Sequence, residues 1–394
     1  MAVATRPEAP PVPPTPERRL RRPWVDAMVV QTVAVVAAVA FTGLVGSAII
    51  LAYGESPLFV YATLWQFSTS RASDVARVLE QATPLIFSAL AVAVAFKAGM
   101  FNIGVEGQYI VGMMTATMAA VWLDLPAAVH LPLVVLAAMA GSMIWAFVPA
   151  ILKVKTGAHE VVTTIMMNGI AISLVAWALL NPLRTGDTGL VDLRSDRFPE
   201  SAIVPPLAPA LGLDGEGGIP ASAHLTWLFP LGLLACVAVW FLLYRTRLGY
   251  EARAVGSSPG SAEAGGISIG AIQLKVFLIS GALAGFVGLN YLLGDAGFLG
   301  VNYETTLGFT GIAVAFLGRN HPVGIVLSAL LFGILFRGED GVAVATDLPR
   351  EITVILEGLL ILSVVVAYEI ARRVRLRRQA EIIRQEEGEA RAAA

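Results

Sequence analysis

Long uncharged apolar runs recur along the chain, and this pattern restricts the fold more than any other feature. A helix needs about 20 apolar residues to cross the hydrocarbon core of a bilayer, and several runs reach that length. Only 14% of the residues are charged and the mean hydropathy is +0.73, whereas soluble domains carry about 25% charged residues. The pattern predicts an all-α, polytopic transmembrane helical bundle.

About ten membrane spans are predicted, with boundaries that follow the apolar runs. They are 25–53, 78–96, 101–123, 131–152, 161–180, 225–244, 272–293, 305–317, 323–336 and 351–371. The two runs after Glu304 are short and rich in glycine, so broken helices are the alternative to full crossings there.

The distribution of positive charge predicts the orientation. Cytoplasmic segments carry an excess of Lys and Arg, and an even number of crossings with the amino terminus inside places 20 of the 27 basic residues in the cytoplasm. Both termini are therefore predicted to be cytoplasmic. A disordered tail over 1–23 and a second tail over 372–394 flank a transmembrane domain over 24–371. Within it, 181–224 is predicted to be an external loop and 245–270 a polar cytoplasmic loop.

The stretch "KAGMFNIGVEGQYIVG", residues 97–112, interrupts the apolar pattern with glycines and polar side chains. A broken helix is tolerated in hydrocarbon only inside protein or beside water, and a charge near a helix centre costs about 2.5–3.5 kcal/mol. Three interpretations remain open for Asn102, Glu106 and Gln108. The first is a structural turn whose side chains hydrogen-bond neighbouring helix ends, the second is the lining of a translocation path, and the third is a proton-linked step.

A second polar stripe lies in "TGAHEVVTTIMMNGIA", residues 156–171. Glu160, Thr164 and Asn168 are four residues apart and share one helical face. Such a stripe either hydrogen-bonds a neighbouring helix, at roughly 0.6–2 kcal/mol per contact, or lines the path. For Glu160 we favour a simpler role, complementing the positive end of its own helix.

Two glycine-rich stretches predict close helix packing. Gly281 and Gly285 give a small-xxx-small face, and in "LGFTGIAVAFLG" an aromatic and a hydroxyl, Phe309 and Thr310, stand among glycines where they are suited to contact a ring-bearing solute. The candidate translocation-path residues are Phe101, Asn102, Glu106, Gln108, Thr164, Asn168, Phe309 and Thr310.

Several sequence patterns for catalysis are absent. None of the four lysines follows a glycine, so the chain has no Walker A sequence, and it has no nucleophile elbow or HExxH motif either. The single Cys236 and four scattered histidines give no metal-ligand spacing. We predict no catalytic residue, metal, cofactor or nucleic-acid partner, and any ATP used must be bound by another chain.

Four motifs occur in one order: "FKAGMFNIGVEGQ", "GAHEVVTTIMMN", "TRLGYEARAVGSSPGSAEAGGI" and "GFTGIAVAFLGRNHPVGI". With them, residues 79–362 resemble permease subunits of ABC importers of the branched-chain amino acid/simple-sugar superfamily, and most of all its nucleoside-transporter branch. The resemblance implies a plasma-membrane permease that conducts nucleosides, with simple sugars or branched-chain amino acids as alternatives. It also implies separate ATP-binding cassette ATPase subunits, a second homologous permease that forms a heterodimer with this one, and an external solute-binding lipoprotein.

In that family the cytoplasmic loop holds a short coupling helix that docks into the ATPase. The chain matches the family pattern at Gly249, Arg253, Ala254, Gly256, Pro259, Ala262, Gly266 and Ile267. It departs from the pattern with Ser261 and Gly265 where alanines are usual, and the glycine lowers helix propensity by about 1 kcal/mol. The rival interpretation is a secondary transporter driven by protons through Glu106 or Glu160, but such a carrier has no need of a docking loop.

Overall fold

The computed structural model describes residues 23–185, 193–215, 218–220 and 223–392. These residues are mostly helical and confirm the predicted all-α membrane bundle. The predicted disordered tail over 1–23 lies outside the described residues except for Pro23, and so do residues 186–192, 216–217 and 221–222 of the predicted external loop.

Fourteen α-helices make up most of the described part of the chain. They are α1 Pro23–Ala52, α2 Pro57–Thr69, α3 Ala72–Lys97, α4 Val105–Trp122, α5 Ala127–Thr156, α6 Glu160–Leu180, α7 Leu207–Ala210, α8 Leu228–Arg245, α9 Arg247–Ser257, α10 Pro259–Ala264, α11 Ile269–Ala284, α12 Leu307–Leu317, α13 Pro322–Ala345 and α14 Arg350–Ala392. A 3-10 turn, Glu200–Ala202, and a π-helical segment, Asn290–Ala296, complete the described helical elements.

Six described helices have the length and composition to cross a membrane, namely α3, α5, α6, α8, α13 and part of α14. A seventh span results if α1 and α2, bent by 114° at a short break, are counted together. The prediction of about ten spans also counts α4, α11 and α12, which are shorter or less apolar. Helix α2 was not predicted from the sequence.

Helix α3 lies at the centre of the bundle. Its apolar stretch is 83% buried, against 28% for those of α5, α6 and α8, and α8, α11, α12 and α13 all pack against it. Ala89, Ala91, Ala93 and Ala95 are fully buried along its second half. Small side chains let membrane helices approach closely, and van der Waals packing then drives their association.

A proline inside α3 is compensated by a neighbouring element. Pro84 has no N–H, so the carbonyl of Glu80 loses its helical hydrogen bond. The side-chain amide of Asn290 donates to that carbonyl at 3.5 Å, and Thr226 Oγ1 in turn donates to Asn290 Oδ1 at 3.2 Å. Asn290, held by Thr226, therefore supplies the hydrogen-bond donor that Pro84 lacks.

The predicted span 323–336 is too short, because α13 continues to Ala345. From the sequence, Arg337 marks an external end. In the structure its guanidinium lies 2.7 Å from Asp74 and 3.0 Å from Asp340, with only 16% of its side chain exposed. The carboxylates neutralise a charge that would otherwise be too costly to bury, so the helix continues.

The segments predicted for the two sides of the membrane gather at opposite ends of the bundle. At one end, which we call the inner end, Gly256 of the polar loop lies against the carbonyl of Lys97. At the other, the outer end, Ser201 Oγ of the external loop lies 2.8 Å from His130 Nδ1 at the start of α5. The charge-based orientation predicts that the inner end faces the cytoplasm.

This orientation predicts which positions react from outside the cell. In a Cys236→Ala background, Asp214→Cys at the outer end should react in intact cells with a membrane-impermeant maleimide, whereas Glu263→Cys on α10 should react only after permeabilisation. Both positions are exposed, so access alone separates them. Labelling of the Glu263→Cys variant in intact cells would reverse the orientation.

The crossing of α12 over α3 predicts a stability difference between two glycines. A methyl at Gly311 would lie 2.5 Å from Ser88 Cβ, whereas a methyl at Gly169 on α6 would meet nothing within 4 Å. Gly311→Ala should therefore lower the free energy of unfolding by about 1–3 kcal/mol. Gly169→Ala, the control, should be neutral or slightly stabilising, since alanine favours a helix. Thermal unfolding of the detergent-purified variants compares them, and equal stability would contradict the close crossing.

Candidate functional site

The break between α3 and α4 is held by a closed set of side-chain hydrogen bonds. Asn102 Nδ2 donates to Gln108 Oε1 at 3.0 Å and to Ser280 Oγ on α11 at 2.8 Å, while Gln108 Nε2 donates back to Asn102 Oδ1 at 3.0 Å. Ser280 Oγ then donates to the carbonyl of Ala91 on α3 at 2.6 Å. All of these side chains are buried. The three elements are thus fixed to one another where the chain turns back into the bundle.

Glu106 caps the amino terminus of α12. Its carboxylate accepts the backbone N–H of Thr306 and that of Gly308, both at 2.8 Å, and the hydroxyl of Tyr109 at 2.9 Å. A Cβ at position 308 would lie 2.5 Å from the backbone nitrogen of Glu106, so only glycine permits this approach. Two interrupted helices, α4 and α12, therefore meet end to end, and the carboxylate complements the positive end of α12.

The polar stripe of α6 faces the start of α4. Asn168 Oδ1 accepts the N–H of Gly107 at 2.9 Å, and its Nδ2 donates to the carbonyl of Ile103 at 3.1 Å. Thr164 is fully buried and donates to the carbonyl of Glu160 at 2.7 Å. Glu160 itself lies 2.8 Å from Lys153 Nζ at the end of α5. Asn168 and Glu160 are therefore satisfied by neighbouring elements, whereas Thr164 hydrogen-bonds within its own helix.

The meeting point of α4 and α12 lies about halfway through the membrane. Ser88 Oγ donates to the carbonyl of Leu307 at 2.9 Å, and Ser88 is nine residues, or about 13–14 Å, from the inner end of α3 at Lys97. The hydrocarbon core is about 30 Å thick. The start of α12 is thus near the bilayer midplane.

A non-helical segment, residues 302–306, leads to this point from the outer end. Val301 is tied to the external loop, since its N–H donates to the carbonyl of Leu193 at 3.2 Å. Asn302, Glu304 and the two threonines that follow are exposed on the surface of the chain. Thr306 has φ +82, a conformation that is rare for a β-branched residue, and its N–H is one of the two held by Glu106.

The structure brings the eight predicted path residues into one region but exposes only one side chain. Phe309 is 43% exposed, next to segment 302–306, whereas Thr310 is buried behind it. Phe101 is half-buried and stacks on Phe316 with ring centroids 5.9 Å apart. The others lie in the hydrogen-bonded break and stripe.

Sequence reasoning missed several members of this region. Tyr109 stands three residues after Glu106, and that spacing is a signal that it shares the same helical face. Ser280 directly precedes the packing glycine Gly281, and no role was predicted for it from the sequence. Nothing local in the sequence indicates the strained backbone of Thr306, because it depends on a contact about 200 residues away in the chain.

The polar loop folds into two short helices, α9 and α10, at the inner end. Gly249 packs against the carbonyls of Leu242 and Leu243, and Gly256 packs against the carbonyl of Lys97, so a side chain at either glycine would collide with backbone. The two glycines thus anchor α9 to α8 and α3.

The predicted coupling residues divide into two groups. Gly249, Gly256 and Arg253 face the bundle, and the guanidinium of Arg253 lies 5.2 Å from the ring centroid of Tyr244. The remaining predicted residues lie around a surface groove of about 620 Å³, which Ala254, Ala262, Gly266 and Ile267 help to line; Pro259 is exposed at the start of α10. Helix α10 ends at Ala264, directly before Gly265. Ala262 itself is only 5% exposed.

The sequence was compared with known protein families and curated proteins. Residues 75–365 match the family described as the permease component of the branched-chain amino acid transport system. The chain is 36% identical to the guanosine ABC transporter permease NupP of Bacillus subtilis, over 82% of this chain and 90% of the relative. It is 35% identical to the glucose ABC transporter permease TsgB13 of Haloferax volcanii, over 82% of this chain and 83% of that one.

A third relative, the nucleoside ABC transporter permease NupB of Lactococcus lactis, is 31% identical over 84% of this chain and 90% of its own. NupP and NupB each have a second, less similar match in the same organism, NupQ and NupC, both at 27% identity. The family match covers most of the chain, and the helices are apolar enough to cross a membrane. The chain therefore belongs to the branched-chain amino acid transport system permease family and is a multi-pass ABC transporter permease of the plasma membrane.

Proposed function

We propose that this permease serves an ATP-driven importer and conducts nucleosides past segment 302–306 and the exposed ring of Phe309. The observation that carries the proposal is an exposed, non-helical, polar segment near the bilayer midplane. Backbone of this kind does not face lipid, because its polar groups need water or protein. A water-filled path beside the segment satisfies that requirement.

The chemistry around the segment suits a nucleoside. A base needs an apolar ring surface, and a ribose needs a few hydrogen-bonding groups. The ring of Phe309 offers the first, and Asn302, Thr305 and the neighbouring polar groups of the segment offer the second. The other seven predicted path residues form the wall behind this surface.

The similarity to NupP and NupB supports a nucleoside, since their names give guanosine and nucleosides as solutes. A simple sugar is the second candidate, because TsgB13 is named as a glucose permease and is 35% identical. A branched-chain amino acid is a weaker alternative that rests on the family description alone.

We propose further that α9 and α10 dock onto an ATP-binding cassette ATPase. A short exposed helix pair with a groove of about 620 Å³, anchored on α3 and α8, is suited to transmit movement into the bundle. The pairs NupP with NupQ and NupB with NupC support a second permease subunit as the partner in the membrane. An external binding lipoprotein would deliver the solute and set most of the selectivity.

The path proposal predicts a role for an exposed ring. Phe309→Ala should slow uptake of labelled guanosine several-fold, because the variant lacks the ring on which the base stacks briefly during transport. The amount of assembled complex should stay the same. Phe147→Ala on α5 is the matched control, since Phe147 is similarly exposed, at 42% against 43%.

Uptake is measured in a strain that lacks other importers, with labelled guanosine, glucose and leucine side by side. Entry of glucose or leucine alone would reject the nucleoside assignment and leave the importer intact. Equal uptake by the Phe309→Ala and Phe147→Ala variants would place the path elsewhere on the chain.

The docking proposal predicts a partner contact at Tyr250, which is 63% exposed on α9 and lines the groove. Tyr250→Ala should weaken co-purification of the ATPase by roughly tenfold, since buried aromatic anchors at interfaces contribute about 1–2 kcal/mol or more. Tyr53→Ala, at an exposed position between α1 and α2, is the control. Full recovery of the ATPase with the Tyr250→Ala variant would argue against this surface.

A further inference from the structure

An apolar groove runs along the inner half of the bundle between α8 and α13. It encloses about 400 Å³ and is lined by one face of α8, including Leu233, Val237 and Trp240, and by the first turns of α13, including Val323 and Val326. Val237 and Val323 are 60% and 64% exposed. From Leu233 to Trp240 the groove extends for about 10 Å along α8.

The inner mouth of this groove carries several basic groups. The guanidinium of Arg245 lies 5.3 Å from the ring centroid of Trp240, and the ring of His321 lies 6.0 Å from that of Tyr244. Arg319 stands two residues before His321 in the tight turn that leads into α13. The two arginines therefore place positive charge at the mouth, at the end of α8 and just before the start of α13.

These basic groups lack anionic partners in the described part of the chain. Arg245, Arg253, Arg319 and Lys97 make no ion pair there. One guanidinium nitrogen of Arg253 is buried without an acceptor. Burial, together with the positive charges of Lys97 and Arg319, lowers the pKa of His321. Lys97, Arg319 and His321 are close enough to repel one another, so an anion beside them would stabilise them.

We propose that the groove binds an anionic phospholipid of the inner leaflet, with its phosphate among Arg245, Arg319 and His321 and one acyl chain between α8 and α13. Charge complementarity favours this occupant, because basic pockets between helices on the cytoplasmic side suit anionic headgroups. The apolar groove above the mouth suits a hydrocarbon chain. A soluble anion would use the mouth and leave the groove empty. This inference does not depend on the identity of the solute.

The test uses Trp240, which lines the groove, as the reporter. The purified full-length chain is titrated in mixed micelles with phosphatidylglycerol or phosphatidylcholine whose acyl chains are brominated, since bromine quenches tryptophan on contact. The signal of the Trp240→Phe variant is subtracted to isolate this residue. Phosphatidylglycerol should quench Trp240 at a lower mole fraction than phosphatidylcholine does.

Two kinds of variant separate the headgroup from the chain. Arg245→Gln and Arg319→Gln should each reduce the preference for phosphatidylglycerol by about fivefold, whereas Lys155→Gln, an exposed lysine at the end of α5, should leave it unchanged. Val237→Phe should reduce quenching by both lipids, because it fills the groove. The preference is the ratio of quenching by phosphatidylglycerol to quenching by phosphatidylcholine in the same variant. A change in the emission of Trp240 itself therefore cancels.

Equal quenching by the two lipids would overturn the proposal, and so would an unchanged preference in the Arg245→Gln variant. Arg245 is exposed at the end of its helix, so this variant tests the charge without disturbing the core. Inorganic phosphate added to the micelles gives a second test. If it abolishes the preference, so that both lipids quench Trp240 equally, the mouth binds a free anion and the proposal is overturned.

Discussion

The carboxylate of Glu106 holds together the two helix ends on which the middle of the bundle depends. The first N–H groups of α12 have no acceptor within their own helix, and the hydrocarbon near the bilayer midplane contains no water to hydrogen-bond them. Each such group left unpaired costs several kcal/mol. A buried carboxylate is equally costly by itself. Placing one against the other offsets part of both penalties, because the N–H groups of Thr306 and Gly308 hydrogen-bond the carboxylate.

The same contact fixes the position of α12 relative to the rest of the chain. Helix α12 packs along α3, where Gly311 meets Ser88, and ends in a tight turn in which Arg319 and Asn320 have positive φ. That turn lies at the inner end, near Tyr244 of α8. A single short helix therefore connects the exposed segment at the midplane with the end that carries α9 and α10.

Helix α9 is attached to this core through close glycine–backbone contacts in addition to side-chain packing, in which Leu248 and Val255 join the hydrophobic core. Gly249 meets the end of α8, and Gly256 meets the end of α3, so the loop cannot tilt without shifting both helices. Backbone contacts between small residues are short and stiff. Gly249 and Gly256, two of the glycines that match the family pattern, thus have a physical reason, which is close approach.

Much of the architecture follows from the sequence. The apolar runs predicted α1, α3 to α6, α8 and α11 to α14 in order, and the spacing of Glu160, Thr164 and Asn168 predicted a shared polar face, from which Asn168 contacts the start of α4. Helix α2 and the second half of α13 were not predicted. Arg337 appeared to end α13, but its charge is neutralised by Asp340 and by Asp74, more than 260 residues earlier, and the helix continues.

The sequence by itself determined that the protein lies in a membrane, that its fold is all-α, and that α6 carries a polar stripe. Hydropathy and helical period are local properties, so they can be read without the structure. For Asn102, Glu106 and Gln108 it left a structural turn, a path lining and a proton-linked role open. Only the tertiary structure decided most of what these side chains bind, because every partner except Tyr109 lies on another element or across the break between α3 and α4. It also decided that Phe309 faces outward while Thr310 faces inward. Exposure of adjacent residues on one helix depends on which neighbours pack there, and no local pattern specifies those neighbours.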